Sequence, residues 1–300
     1  MVNIKKDCFE ATIRGLAQIA FSDKLSSGFI IFFSIIIISP MSAIGAIIGA
    51  LLSSLISYKY YKENFHSEWK KGYFCYSSGV LGIILGSYLI YSPLYFLIFI
   101  ISVIFCSLLD IILKKIFIKY STPTFALSTI IVFWFLYAII LFYEYPFWIS
   151  IGAFPLNYWS IYICIAGILL ALFFNNNKAT VMTLLFTSIA IFFSTQVLNL
   201  SIYNSANLWA FNIATISYIS SIIFLPLGLV GYLMIGISNM LSLSIWLLWI
   251  YTGFWQILPP IIAPFTLSIL ILIFISNKIF GPIIYTPNLW NIVELIKTLY

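Results

Sequence analysis

Along the whole chain, one apolar segment of helix-spanning length follows another, parted only by short polar interruptions. About 20 apolar residues cross the hydrocarbon core of a bilayer. Inside that core no water satisfies backbone N–H and C=O groups, so each segment closes its own hydrogen bonds as a helix. Only 7% of the residues are charged, against about 25% in a soluble domain. The pattern specifies an all-α polytopic membrane protein.

The few charges report orientation. Eleven of the fourteen basic residues precede residue 120. Lys59, Lys62, Lys70 and Lys71 form one basic connection, and Lys114, Lys115 and Lys119 another. By the positive-inside rule both are cytoplasmic. The connections at Ser92-Pro93 and from Glu144 to Trp148 carry no basic residue and face out, as do those near Asn204 and Gly253; Lys178 and Lys278 mark inside ends. Both termini are then cytoplasmic. The +6 charge is a topological signal and implies no nucleic-acid partner. Met1 to Asp7 leads into a short mixed segment without a small-residue cleavage site, so no cleaved leader is expected.

The segments fall at 8–22 (short), 24–39, 41–58, 72–91, 94–118 and 122–143, with a break at Ser39-Pro40. A second set follows at 147–158 (short), 160–174, 179–200, 207–225, 228–251 and 258–277. Each set has five spans and one short element. The short elements fit re-entrant half-helices, tolerable where they line a cavity.

Three landmarks relate the sets. Ser27-Gly28 matches Ala166-Gly167, Gly72 to Ser77 matches Asn207 to Asn212, and Thr122-Pro123 matches Leu258-Pro259. Their offsets agree within four residues. With five spans each, the second unit is inverted: repeat one at 1–143, repeat two at 144–278, and a tail at 279–300.

Arg14-Gly15-Leu16-Ala17-Gln18-Ile19-Ala20-Phe21, followed by Ser27-Gly28, resembles the "RGxxQVxF…SG" opening of urea transporters. Ser39-Pro40, Ala43, Gly45 and Gly49 fit that family's small-residue segment. Gly72 to Leu85 resembles its "GLYGFNGALVGLAL", and Leu208 to Asn212 its "LWGYN". Thr122 to Thr129 and Leu258 to Phe265 resemble its duplicated "LPxxTxPF". The resemblance runs from about residue 11 to 277 and rests on the order and spacing of its motifs.

It implies ten membrane helices with two re-entrant helices, a homotrimer in lipid, and one pore inside each protomer for a small neutral solute such as urea. No cofactor or metal is implied. Urea is flat, neutral and strongly hydrated, so a pore must replace its hydrogen bonds while excluding ions. By family position Gln18 and Asn157 are edge groups. Phe21, Tyr76 and Phe211 are slot walls, with Trp159 beside the place that matches Phe21. Ala126 and Ile262 lie at mid-pore. Ser77 and Asn212 brace the re-entrant turns, and Pro123 and Pro259 start the helices that close the slot. The chain departs from the family where Ala126 and Ile262 replace threonine, Asn157 replaces an acidic group, and Ser128-Thr129 replaces Pro-Phe. These changes leave fewer hydrogen bonds at mid-depth and admit a different small amide, a less polar solute, or slow transport.

Other residues read structurally. Gly45/Gly49 and Gly82/Gly86 have the spacing for close helix packing. Asp110 and Lys114 are spaced for an i,i+4 ion pair at the cytoplasmic interface. His66 falls in a charged loop, and Cys8, Cys75, Cys106 and Cys164 are scattered hydrophobes without metal spacing. Nothing supplies the nucleophile, base or metal ligands of an enzyme. Two alternatives to passive transport stand: a coupled secondary transporter, for which Asp110 is the one acidic candidate within a span, and a non-transporting scaffold derived from this fold.

Overall fold

The structure is a computed structural model that describes residues 4–61, 69–86, 93–118, 123–142, 158–196, 207–253 and 263–280. Every regular element among them is helical: α1 (Ile4–Ala17), α2 (Leu25–Ile38), α3 (Pro40–Tyr61), α4 (Tyr76–Gly86), α5 (Pro93–Ile118), α6 (Leu127–Phe142), α7 (Tyr158–Asn175), α8 (Asn177–Gln196), α9 (Asn207–Phe224), α10 (Leu229–Tyr251) and α11 (Ala263–Phe280). Short 3-10 turns at Gln18–Ala20 and Leu225–Leu227 follow α1 and α9.

Among the described residues, three helices are long and apolar enough to cross a bilayer alone: Pro40–Tyr60, Pro93–Phe117 and Leu229–Tyr251. A fourth candidate is the pair Lys6–Ala20 and Leu25–Ile38, bent by 76°. On α5 the residues Leu94, Leu97, Ile101, Phe105, Leu108, Ile112 and Ile116 are exposed. They recur every three to four positions and form one apolar stripe facing outward.

Local chemistry places the boundaries. The Ser39-Pro40 break is observed: α2 stops at Ile38, Ser39 is extended (φ −151°), and Pro40 opens α3. A residue before proline is driven out of the α region, while proline suits the first helical position. The Ser39 hydroxyl accepts the Ser42 N–H at 3.2 Å, which caps α3.

Helices α3 and α4 meet backbone to backbone through the two glycine pairs. A Cβ on Gly45 would lie 2.3 Å from the Gly82 carbonyl oxygen, and one on Gly82 would lie 2.2 Å from that of Gly45. One on Gly86 would lie 2.6 Å from the Met41 carbonyl. The spacing therefore serves packing within the chain. Helix α2 packs along α7, where a Cβ on Gly167 would meet Ser34 Oγ at 2.0 Å.

Two expected boundaries differ. The segment expected at 72–91 begins as a turn over 71–75, and α4 starts only at Tyr76. This turn lies directly on α1, since a Cβ on Gly72 (φ +80°) would come 2.3 Å from Gly15 N. Trp69 Nε1 donates to the Ser54 carbonyl at 2.8 Å, and Ser53 Oγ donates to that of Phe74 at 2.6 Å, fixing the turn to α3. The segment expected at 122–143 starts as helix only at Leu127. Pro123 lies in the connection before it rather than in its first turn, because Phe125 adopts φ +45° and cannot continue a right-handed helix. Most of the short element expected at 147–158 lies outside the described residues.

Candidate functional site

Helix α1 ends in a corner built around Phe21. Its backbone is left-handed (φ 51°, ψ 34°), and its N–H donates to the Gln18 carbonyl at 2.9 Å. Glycine ordinarily takes such a position; an L side chain there costs about 1–2 kcal/mol. Neighbours hold the corner from several sides. Arg14 donates to the Asp23 carbonyl at 2.8 Å, and Asn175 Nδ2 at the end of α7 donates to the Phe21 carbonyl at 2.9 Å. Lys24 Nζ donates to the Phe174 carbonyl at 2.7 Å. The first and second halves of the chain therefore meet at this corner.

Gln18, one turn earlier, is buried, and its Nε2 donates to the Lys71 carbonyl at 3.1 Å. Its Oε1 acceptor is unengaged among the described residues. Lys70, in the connection outside the spans, reaches Asp7 at 2.8 Å and Glu10 at 3.3 Å. Its hydrogen bonds to Asp7 and then Glu10 raise its pKa above the ordinary lysine value. The connection that presents the Lys71 carbonyl is thus pinned to α1.

The Phe21 ring is the centre of an aromatic cluster. Ring centroids lie 6.3 Å away for Tyr76, 6.2 Å for Phe125 in an edge-on arrangement, and 6.2 Å for Tyr218. Phe125 is the second bulky residue with a positive φ, and Ala126 beside it is fully buried. Tyr218 on α9 is buried, accepts from Asn175 Nδ2 at 3.1 Å and donates to the Leu172 carbonyl at 3.4 Å. Phe21 and Tyr76 keep part of their surface accessible. The Tyr76 hydroxyl makes no hydrogen bond among the described residues. Aromatic faces with the Tyr76 hydroxyl beside them, and the Gln18 amide one turn before Phe21, suit a flat, polar, uncharged molecule.

Beneath this cluster lies a charge. Asp110 on α5 is 2% exposed and pairs with Lys114. The expected i,i+4 ion pair is present and is buried within the protein, where polar groups from three other segments converge on it. Asp110 Oδ1 accepts from Ser77 Oγ at 3.1 Å and from Ser128 Oγ at 3.2 Å. Lys114 Nζ donates to the Tyr73 carbonyl at 2.8 Å and sits 4.6 Å over the Phe74 ring. Ser77 Oγ also lies 3.3 Å from the Phe125 carbonyl, and Thr129 Oγ1 donates to the Ser77 carbonyl at 2.7 Å. In the second half the buried Asn212 Oδ1 accepts the Phe265 N–H at 3.1 Å, which joins the start of α9 to that of α11.

The structure thus brings Phe21 and Tyr76 into contact, with Ala126 in the same apolar core and Gln18 one turn from Phe21. It ties Ser77 to Asp110 and Asn212 to Phe265. Asn157, Pro259 and Ile262 lie outside the described residues, as do the side chains of Trp159 and Phe211, whose backbones fall near the starts of α7 and α9. Phe125 and Tyr218 are the residues that sequence reasoning missed. Phe125 sits inside the first proline motif, one place before Ala126, and its signal was position within that motif. Tyr218 is one of 20 tyrosines, and nothing in the sequence distinguishes it.

Residues 9–150 match the family model described as urea transporter. The match covers just under half of the chain and includes Gln18, Phe21, Tyr76, Asp110, Phe125 and Ala126. The first half is thus similar to that transport family. No curated protein matches the chain. Together with the apolar helices, the match makes this an integral membrane protein.

Proposed function

We propose that the protein is a passive, channel-like transporter of urea or a related small neutral amide, with a pore inside each protomer that passes the Phe21 corner. One observation carries this reading. Inside the stretch that matches the transporter family, Phe21 and Phe125 hold strained backbones that bring their rings together with Tyr76 and Tyr218. Bulky residues in the left-handed region persist only where their surroundings over-determine them, and they cluster at functional sites.

The mechanism follows from the chemistry of the solute. A planar amide loses water on both faces when it slides between aromatic rings, while its edge N–H groups still need acceptors. Gln18 Oε1 supplies one acceptor, and the Tyr76 hydroxyl acts as donor or acceptor. No step requires a bound ion. Asp110 is occupied by Lys114, Ser77 and Ser128, which speaks against coupling to a proton or sodium gradient.

The inverted repeat belongs to the same proposal. Thr129 bonds Ser77, and Phe265 bonds Asn212; within each pair of bonds the corresponding residues are 135–136 positions apart. Gly28 and Gly167, which correspond in register, lie on α2 and α7, the helices that pack together across the two halves. Ten spans, two re-entrant helices, a trimer and an inner or plasma membrane location complete the reading.

The test is stopped-flow light scattering on proteoliposomes under an inward urea gradient, with formamide, acetamide, thiourea and glycerol alongside. Saturable urea or amide flux that ignores pH and membrane potential is expected. Flux that requires an ion gradient favours a coupled transporter, and the absence of flux for every solute favours a scaffold.

A further inference from the structure

Asp110 and Lys114 play no part in the solute chemistry above, yet they are the most heavily engaged side chains near it. Burying two charges is costly unless their remaining hydrogen-bonding groups are satisfied. An i,i+4 pair serving only its own helix needs no burial and contributes a few tenths of a kcal/mol.

Here the partners come from elsewhere. The carboxylate takes the hydroxyls of Ser77 at the start of α4 and Ser128 at the start of α6. The ammonium takes the Tyr73 carbonyl and covers the Phe74 ring. Tyr76 therefore lies on a stretch held on both sides, at Tyr73 and at Ser77. The single Ser77 hydroxyl proton is shared between Asp110 Oδ1 and the Phe125 carbonyl at 3.3 Å, and Phe125 lies three residues before Ser128. Tyr76 and Phe125 are the two first-half rings that touch Phe21. One carboxylate thus references both.

The second half offers a contrast. The starts of α9 and α11 are joined by the neutral Asn212–Phe265 bond. Joining two helix starts does not in itself demand a buried charge.

We propose that Asp110, oriented by Lys114, is a positioning residue that fixes the separation of Tyr76 and Phe125 around Phe21 and thereby sets which solutes pass. The selectivity part rests on the pore reading; the positioning part does not.

Two variants and two readouts test it in nanodiscs and proteoliposomes. Asp110→Leu with Lys114→Met removes both charges and leaves none unpaired. The swap Asp110→Lys with Lys114→Asp keeps a pair but moves the carboxylate one turn away from Ser77 and Ser128. Hydrogen exchange is read over 73–80 and 123–130 against α3 and α10, and flux is read as the ratio of urea to acetamide.

Both variants are expected to lose about tenfold protection in those two stretches only, with a shift of about tenfold in the flux ratio. Wild-type protection in either variant overturns the positioning role, as does loss of protection in every helix, which marks a general structural role. Local loss with an unchanged flux ratio overturns the selectivity role. If the wild-type protein passes no solute, the pore reading and the selectivity role fall, and the exchange readout alone decides positioning.

Discussion

Phe21 and Phe125 carry an unfavourable backbone, and what each gains is a ring contact. Two left-handed residues cost about 2–4 kcal/mol together, while an aromatic pair returns about 0.5–1.5 kcal/mol beyond its buried area. The ring contacts alone barely offset the strain, so the hydrogen bonds of Asn175 and Ser77 to the two carbonyls are needed as well. Tyr76 differs, because its hydroxyl makes no hydrogen bond among the described residues. Tyr76→Phe is therefore expected to leave thermal stability within about 0.5 kcal/mol of wild type. Urea flux should fall three- to tenfold, about what one hydrogen bond of 0.5–1.5 kcal/mol allows. A stability loss with normal flux in the stopped-flow assay would remove the hydroxyl from the pathway. Gln18→Leu should stop urea flux in a protein that still reconstitutes, and unchanged flux would exclude Gln18 from the pathway. The placing of Phe21 against Tyr76, with Gln18 one turn earlier, was legible because motif position marks all three. Phe125 and Tyr218 were not: the sign of a φ angle leaves no trace in residue type, and any one ring is hidden among 57 aromatic residues.

At the scale of elements, the α3–α4 contact shows how far spacing alone informs. GxxxG spacing predicts close packing, and the structure adds the partner, since each glycine of the Gly45/Gly49 and Gly82/Gly86 pairs faces backbone of the other helix. Neither backbone can yield as a flexible side chain can. Gly82→Ala is expected to destabilise the protein by about 1–3 kcal/mol, the usual cost of overpacking, read as a lower melting temperature in detergent. Gly79 on the same helix is the control. Its Cβ would meet Leu16 Cδ2 at 3.4 Å, Ala50 Cβ at 3.6 Å and the Ala46 carbonyl oxygen at 3.9 Å, all at ordinary van der Waals distance, so Gly79→Ala should be neutral or stabilise by about 0.5–1 kcal/mol. Equal effects at the two sites would refute the backbone contact. The Asp110–Lys114 pair was legible only as a pair. Its burial depends on Ser77 and Ser128, which come from other helices 33 and 18 residues away, and spacing within one helix carries no information about them.

At the scale of the whole molecule, the helical class and the membrane were written in the apolar segments, and the orientation rests on lysines. The second half was harder to read because family-like residues thin out there: Asn157 to Ser160 stands where the first half has Gln18 to Phe21, and the family match ends at residue 150. Inversion makes a sharp demand at one pair of positions. Lys115 lies near the end of α5, exposed, and Thr252 follows the end of α10, also exposed. They are 137 residues apart, the register of the repeat, so an inverted repeat puts them on opposite faces of the membrane. The basic cluster at 114–119 assigns Lys115 to the cytoplasmic face, and Thr252 then faces out. Single-cysteine variants Lys115→Cys and Thr252→Cys, in a background with the four native cysteines replaced, are labelled in intact cells with a membrane-impermeant maleimide. Labelling of Thr252→Cys alone is expected, with Lys115→Cys reacting only after the membrane is opened. If both react from the same side, the halves run parallel, and a pore formed between inverted equivalents is ruled out.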